Sequence, residues 1–284
     1  MKRLILLMHC PDKKGIIAAV TNFIHQRNGN IVYIDQYVDR IQGAFFMRIE
    51  VEGDFDLSNF EKFKTTFKKE LGEPFQMSCS FYLADVLPKM AVFVSKYDHC
   101  LYDILAQQSS GKLACTIPFI ISNHKDLEPI AKQFSIPFYH IAVSKDNKEE
   151  TETKQLELLK KYEVNCIVLA RYMQIVSSQI IDVYPSKIIN IHHSFLPAFP
   201  GAKPYHSAFQ RGVKIIGATS HYVTEELDAG PIIEQDIIRV SHGHEVKDFI
   251  LKGQDLERIV LLRALKLHCE RKIMTYNNKT IVFN

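Results

Sequence analysis

Asn190 and His192 stand two positions apart, and Asp228 follows in the run Glu226-Leu227-Asp228-Ala229-Gly230-Pro231. An amide, an imidazole and a carboxylate are groups that can polarise a carbonyl, hold the oxyanion formed when a nucleophile adds to it, and move the accompanying proton. Asn190 and His192 close the apolar run Ile188-Ile189-Asn190-Ile191-His192, which reads as the end of a strand. Alternate side chains of a strand share a face, so both groups project to one side, while His193 points the other way and reads as structural. Taken by themselves, the same residues fit a capped strand end and a hydrogen-bonded core histidine equally well.

The elements that must position these groups come from hydrophobic periodicity. Over residues 1–84 the pattern is strand (4–8), helix (16–26), strand (31–38), strand (44–51), helix (58–71) and strand (76–83), with turns at Pro11-Asp12-Lys13-Lys14-Gly15 and Gly29-Asn30. This is the split βαβ order of a ferredoxin-like α+β sandwich. A second pattern starts after Leu87-Pro88-Lys89. Strands at 90–95, 115–122, 138–141, 166–169 and 188–191 alternate with helices at 100–109, 127–134 and 151–162, which predicts a parallel, doubly wound, Rossmann-like α/β sheet. A helix at 205–211 precedes strands 214–223 and 231–240, which pair antiparallel around the loop 224–230 that carries Asp228. A helix at 245–271, interrupted at Gly253, and a hairpin turning at Asn277-Asn278 complete the pattern. The expected division is 1–84 and 85–284.

Composition narrows the function classes. The 284 residues are 46% hydrophobic, enough for a substantial core. Basic and acidic residues number 35 and 32, net +3, with no long basic block and no tryptophan, so there is no electrostatic footprint for nucleic acid. Six scattered cysteines without a CxxC pair predict free thiols in a reducing, cytoplasmic compartment. The basic and apolar amino terminus stops at Cys10-Pro11-Asp12, too short for a secretory leader, and no stretch approaches the roughly 20 apolar residues of a membrane span. His242 and His244 lack an HExxH or cysteine partner, so no metal site is expected.

Several stretches carry a resemblance. Asn190-Ile191-His192-His193-Ser194-Phe195-Leu196-Pro197, Pro200-Gly201-Ala202, Gly217-Ala218-Thr219 and Leu227-Asp228-Ala229-Gly230-Pro231-Ile232-Ile233 resemble the folate-dependent formyltransferase family. The resemblance implies that Asn190 donates to the formyl oxygen. His192, held protonated by Asp228, would stabilise the oxyanion and protonate the leaving nitrogen, and Asp228 would order the attacking water. It further implies a pterin slot built by Met173, Gln174 and Val176 with Thr224 and Glu225, recognised mainly through backbone groups. Cys10-Pro11-Asp12-Lys13-Lys14-Gly15-Ile16 and Asn28-Gly29-Asn30-Ile31 resemble an ACT domain. That resemblance implies an amino-acid effector site at Asp12, Gly15 and Asn30, with methionine or glycine as effector, and a homo-oligomer.

Glycinamide ribonucleotide formyltransferases carry a glycine-rich, phosphate-cradling turn after the first strand of this domain. Here the segment is Ser95-Lys96-Tyr97-Asp98-His99-Cys100-Leu101. Together with Ile121-Ser122-Asn123-His124, Leu169-Ala170-Arg171-Tyr172-Met173-Gln174 and the leading ACT-like region, it resembles the formyltetrahydrofolate deformylases. The resemblance implies hydrolysis of 10-formyltetrahydrofolate to formate and tetrahydrofolate, supplying formate for purine synthesis, with the folate as substrate and no metal or redox cofactor. Lys96 joins the substrate-binding candidates, whereas Asp98 also reads as a cap for the helix starting near Cys100. Two rivals stand beside this reading: formyl transfer to an amine acceptor, and a folate- or amino-acid-binding regulator that has lost its chemistry.

Overall fold

In a computed structural model, residues 2–54, 57–144, 146–198 and 204–283 are described, so Pro200, Gly201 and Ala202 lie outside the described residues. The chain forms two compact units. The first comprises Met1–Leu87 with Arg271–Met274 and Ile281–Asn284, and the second comprises Pro88–Glu270 with Thr275–Thr280. The division expected at 84/85 thus falls at 87/88, and pieces of the carboxyl terminus count with the first unit. Their tie is long-range: Arg48, buried within the first unit, donates its Nε–H to the Arg271 carbonyl at 2.9 Å.

In the first unit the order is β1 (Lys2–Pro11), α1 (Ile16–His25), β2 (Asn30–Asp39), β3 (Ala44–Gly53), α2 (Leu57–Phe67), a π turn (Lys68–Gly72), α3 (Glu73–Phe75) and β4 (Ser78–Leu83). The four strands form an antiparallel sheet in the order β2-β3-β1-β4. Leu4, Leu6 and Met8 of β1 pack with Val20, Phe23 and Ile24 of α1 and with Phe63 and Phe67 of α2. Each such side chain contributes about 1.5–3 kcal/mol on burial. Phe23 meets Phe63 and Phe67 edge-on, with centroids 5.4 and 5.0 Å away.

The second unit runs β5 (Met90–Val94), α4 (His99–Ser109), β6 (Ile120–Ser122), α5 (Glu128–Gln133), β7 (Phe138–His140), α6 (Lys148–Lys161), β8 (Cys166–Leu169), α7 (Ser178–Ile181), β9 (Ile188–His192), α8 (Pro204–Arg211), β10 (Ile215–Tyr222), β11 (Ile232–Arg239) and α9 (Val246–Cys269). The hairpin β12 (Ile273–Tyr276) and β13 (Lys279–Val282) turns at Asn277 and Asn278. The large sheet has the order β11-β10-β9-β8-β5-β6-β7. β5 to β9 are parallel, whereas β10 runs antiparallel to both β9 and β11.

Two local expectations are corrected, and one helix was not foreseen. The strand expected at 115–122 shrinks to Ile120–Ser122, because Pro118 has no N–H for a ladder; upstream, only an isolated bridge links Thr116 to Lys89. The short α7 follows no sequence signal read above. The helix expected to break at Gly253 is continuous over Val246–Cys269. Gly253 is instead a close-approach point, since a Cβ there would lie 2.1 Å from Cζ of Tyr205. Among the described residues, no helix is long and apolar enough to cross a membrane.

Candidate active site

β9 delivers Asn190 and His192 to the carboxyl end of the parallel strands, and β10 runs antiparallel beside it. Register sets His221 opposite Asn190 and Thr219 opposite His192. The chain leaving β10 turns back to β11, and Asp228 sits in that loop with φ 57. His192 Nδ1 lies 3.2 Å from Asp228 Oδ2, and His221 Nε2 lies 3.6 Å from Oδ1. Asn190 Nδ2 is 3.2 Å from His221 Nε2. The structure therefore brings Asn190, His192 and Asp228 together and adds His221, which is buried.

His221 fixes the orientation of Asn190. Its Nδ1 is 2.9 Å from the Tyr222 carbonyl, which only accepts, so Nδ1 carries a hydrogen and Nε2 accepts from the Asn190 amide. The second amide hydrogen of Asn190 remains for a carbonyl oxygen. Sequence periodicity put His221 in a strand, but facing Asn190 is a property of register. His206 is exposed on α8 and takes no part in this cluster. His193 is buried, with its ring centroid 5.9 Å from that of Tyr205, in keeping with a packing role.

The His192 hydrogen bond and then the His221 ring beside it hold the Asp228 carboxyl well below its ordinary 3.8, against the opposing effect of burial. Asp228 is thus an anion at any working pH, set to support positive charge on His192. Nε2 of His192 is buried and has no hydrogen-bond partner among the described residues. Leaving such a group unmet costs about 1–3 kcal/mol, the signature of an atom reserved for a ligand.

Tight closure holds the Asp228 loop. Tyr222 N–H donates to the Pro231 carbonyl at 2.9 Å, and Thr224 Oγ1 donates to the Glu226 carbonyl at 3.1 Å. A Cβ on Gly230 would lie 1.8 Å from the Tyr222 carbonyl oxygen. Gly230→Ala should therefore cost about 1–3 kcal/mol of stability by overpacking and lower turnover by displacing Asp228. Thermal melting and steady-state rates check this; unchanged values in both would show that the loop has room.

The folate candidates follow β8 and β10. Met173 is exposed, Gln174 is half-buried, and Val176 is buried in the core cluster that Val223 packs against. Thr224 is half-buried and Glu225 exposed. Lys96 is exposed just beyond β5. Asp98 occupies the cap position of α4 but makes no side-chain capping bond, so the cap role considered for it is not realised.

The regulatory candidates are not brought together within one chain. Asp12 lies beside Gly43, to whose carbonyl its N–H donates at 2.8 Å, and Gly15 precedes α1. Asn30 instead pairs with Glu52 at the far end of β3.

A second buried polar cluster escaped the sequence reading. Glu257 of α9 is fully buried and accepts from the Tyr205 hydroxyl at 2.5 Å and from His99 Nε2 at 2.8 Å, with Arg171 Nε at 3.5 Å. Burial pushes the Glu257 carboxyl up, but the His99 hydrogen bond, the Arg171 charge and the Tyr205 hydroxyl outweigh it and hold the carboxyl below its ordinary value. His99, Cys100 and Glu257 have metal-ligand spacing. That donor set suits a cation poorly, because burial pushes the Cys100 thiol well up and Arg171 stands alongside.

Comparisons with known proteins cover the chain. A family model described as formyl transferase matches residues 88–265, and one described as ACT domain matches residues 4–62. A formyltetrahydrofolate deformylase of Synechocystis sp. is 52% identical over 98% of this chain and 97% of its own length. The crystal structure of a formyltetrahydrofolate deformylase from Pseudomonas syringae pv. tomato matches with a TM-score of 0.95 and 43% identity, covering 100% of this chain and 95% of that one. A glycinamide ribonucleotide transformylase from Symbiobacterium toebii matches with a TM-score of 0.66 and 27% identity, covering 72% of this chain and 97% of that one. The transformylase leaves more than a quarter of the chain without a counterpart, whereas the deformylases account for nearly all of it. With an ACT domain followed by a formyl transferase domain, the chain belongs to the formyltetrahydrofolate deformylase family.

Proposed function

We propose that this protein hydrolyses 10-formyltetrahydrofolate to formate and tetrahydrofolate. The observation that carries the proposal is the cluster of Asn190, His192, Asp228 and His221 at the carboxyl end of β9, in a chain that aligns with deformylases over nearly its whole length. Asn190, oriented by His221, donates to the formyl oxygen. Water ordered by Asp228 adds to the formyl carbon, and the proton it sheds replaces the one that His192 delivers to N10. His192, supported by the Asp228 anion, holds the oxyanion and then protonates N10 as the C–N bond breaks. Met173, Gln174, the Val176 backbone, Thr224 and Glu225 line the pterin, and Lys96 stands at the rim. The folate is substrate, and the reaction uses no metal or redox cofactor. Formate leaves as a one-carbon unit for purine synthesis, in the cytoplasm.

The Ser95-Lys96-Tyr97 segment supports water as acceptor, since its side chains occupy the position where a glycine-rich turn would expose backbone N–H groups to a phosphate. The ACT domain supports an amino-acid effector, methionine or glycine, in a homo-oligomer. Asp12 and Asn30 lie at opposite ends of the small sheet, so a site that uses both draws them from two copies of the chain.

Purified protein given 10-formyltetrahydrofolate should release formate at the same rate with and without glycinamide ribonucleotide. Turnover that requires the nucleotide would mean a transferase, and no turnover would mean a binding protein. Adding methionine or glycine to the same assay should change the rate, and a constant rate with both removes them as effectors.

A further inference from the structure

Within the parallel sheet the chain leaves β5 towards β6 and β7 and then returns to place β8 on the opposite side of β5. The carboxyl ends of β5 and β8 therefore flank a topological switch point, the place where open α/β sheets receive ligands. The reacting groups are next door. Phe93 pairs with Leu169 and Leu169 with Asn190, and two residues beyond these three stand Ser95, Arg171 and His192.

Arg171 has unusual surroundings for a charge. It is 8% exposed and held at φ 63. The Tyr97 ring covers the guanidinium, 5.0 Å from Cζ to centroid. Its carboxylate neighbour Glu257 lies 3.5 Å from Nε, yet that nitrogen makes no hydrogen bond. Glu257 is committed elsewhere, one oxygen to Tyr205 and the other to His99. Nδ1 of His99, on the far side of that ring from Glu257, is likewise buried without a partner. A guanidinium offers five N–H donors, and leaving the buried Nε–H unmet costs about 1–3 kcal/mol. α4 starts at His99 with no side chain capping it, so the free N–H groups of its first turn add positive potential at the same loop.

We propose that Arg171, seated on Glu257 beneath the Tyr97 ring, is a carboxylate-binding residue that receives the formate produced by hydrolysis. The inference rests on the deformylase reading. In that reaction a water oxygen bonds to the formyl carbon, the C–N10 bond breaks, N10 takes one proton, and the formic acid so formed loses the other to solvent. A neutral formyl amide becomes a monoanion with two equivalent oxygens, the partner a planar guanidinium matches with two parallel hydrogen bonds. The attraction thus grows as the product forms. Carboxylates of the folate's own glutamate tail share this chemistry and are the other source to be distinguished.

The test is titration of the full-length chain with isotopically labelled formate by saturation-transfer NMR, without folate, for wild type, Arg171→Gln and Arg171→Lys. Wild type should bind formate saturably, Arg171→Gln should weaken it about tenfold or more, and Arg171→Lys should recover part. Equal binding by wild type and Arg171→Gln, or no saturable binding by wild type, overturns the proposal. So does a raised KM for the folate with formate binding unchanged, which would assign Arg171 to the glutamate tail. Should Arg171→Gln fail to fold, Tyr97→Leu is read in the same titration, with weakened binding expected and unchanged binding overturning the proposal. Formate release by wild type is measured alongside. Its absence overturns the deformylase reading, whereas release with unaltered formate binding in the variants overturns only the role of Arg171.

Discussion

Asp228→Asn lowers formate release by about a hundredfold or more while the chain still folds, as the loss of a positioned acid–base group does. The substitution keeps an oxygen that can accept from His192 Nδ1, 3.2 Å away in the native pair, but removes the negative charge that supports an imidazolium. It also replaces the carboxylate oxygen that faces His221. Because Asp228 lies well below 3.8 in the folded chain, it remains ionised through mild acid. An acid limb in the wild-type rate near neutrality therefore belongs to another group, and Asp228→Asn should depress the whole profile without shifting that limb into the carboxylate range. Steady-state kinetics across pH, with circular dichroism to confirm the fold, read both points. Near-normal turnover would remove Asp228 from the mechanism.

Glu257→Ala should destabilise the protein by about 3–5 kcal/mol, the usual result of deleting one partner of a buried ion pair. For a unit of this size that corresponds to a fall in melting temperature on the order of 10 °C. Two donors lose their acceptor at once, the Tyr205 hydroxyl and His99 Nε2, and the Arg171 guanidinium loses its nearby countercharge. The damage spreads because Tyr205 also presses against Gly253, one turn before Glu257 on α9. The sign with pH follows from the lowered carboxyl. Glu257 contributes stability above its ordinary value of 4.5 and loses it as pH falls through the lower folded value. The gap between wild type and Glu257→Ala should therefore be widest near neutrality and close in strong acid. Thermal melts at several pH values check it, and a constant gap would mean that the carboxylate charge is not what holds the cluster.

Much of the scaffold was legible because it is local. The β8 strand, Cys166–Leu169, falls where its unbroken apolar run placed it, and the β1, β2 and β3 strands extend the predicted ones by only a few residues. Alternation put Asn190 and His192 on one side of β9, and two long strands flanking a Gly-Pro turn put Asp228 in a loop between antiparallel neighbours. Where local rules misled, a neighbour distant in sequence had intervened. Gly253 reads as a helix breaker by propensity, yet α9 is continuous, and the glycine makes room for the ring of Tyr205, which occupies the space a side chain would need. Residues 115–119 are as apolar as a strand, yet Pro118 denies the ladder a donor.

By itself, then, the order of residues determined the two-unit α+β and α/β plan, the strand ends that carry Asn190 and His192, and the loop that carries Asp228. Those follow from the 2.0 and 3.6 residue periods and from turn chemistry, which act between near neighbours. Only the tertiary structure decided that His221 orients Asn190, that Arg171, His99 and Tyr205 share the buried Glu257, that Asp12 and Asn30 stand at opposite ends of a sheet, and that Arg271 belongs with the first unit. Each of these joins residues far apart in the chain through strand register or side-chain packing, and a buried polar group takes whichever partner the fold brings within hydrogen-bonding distance.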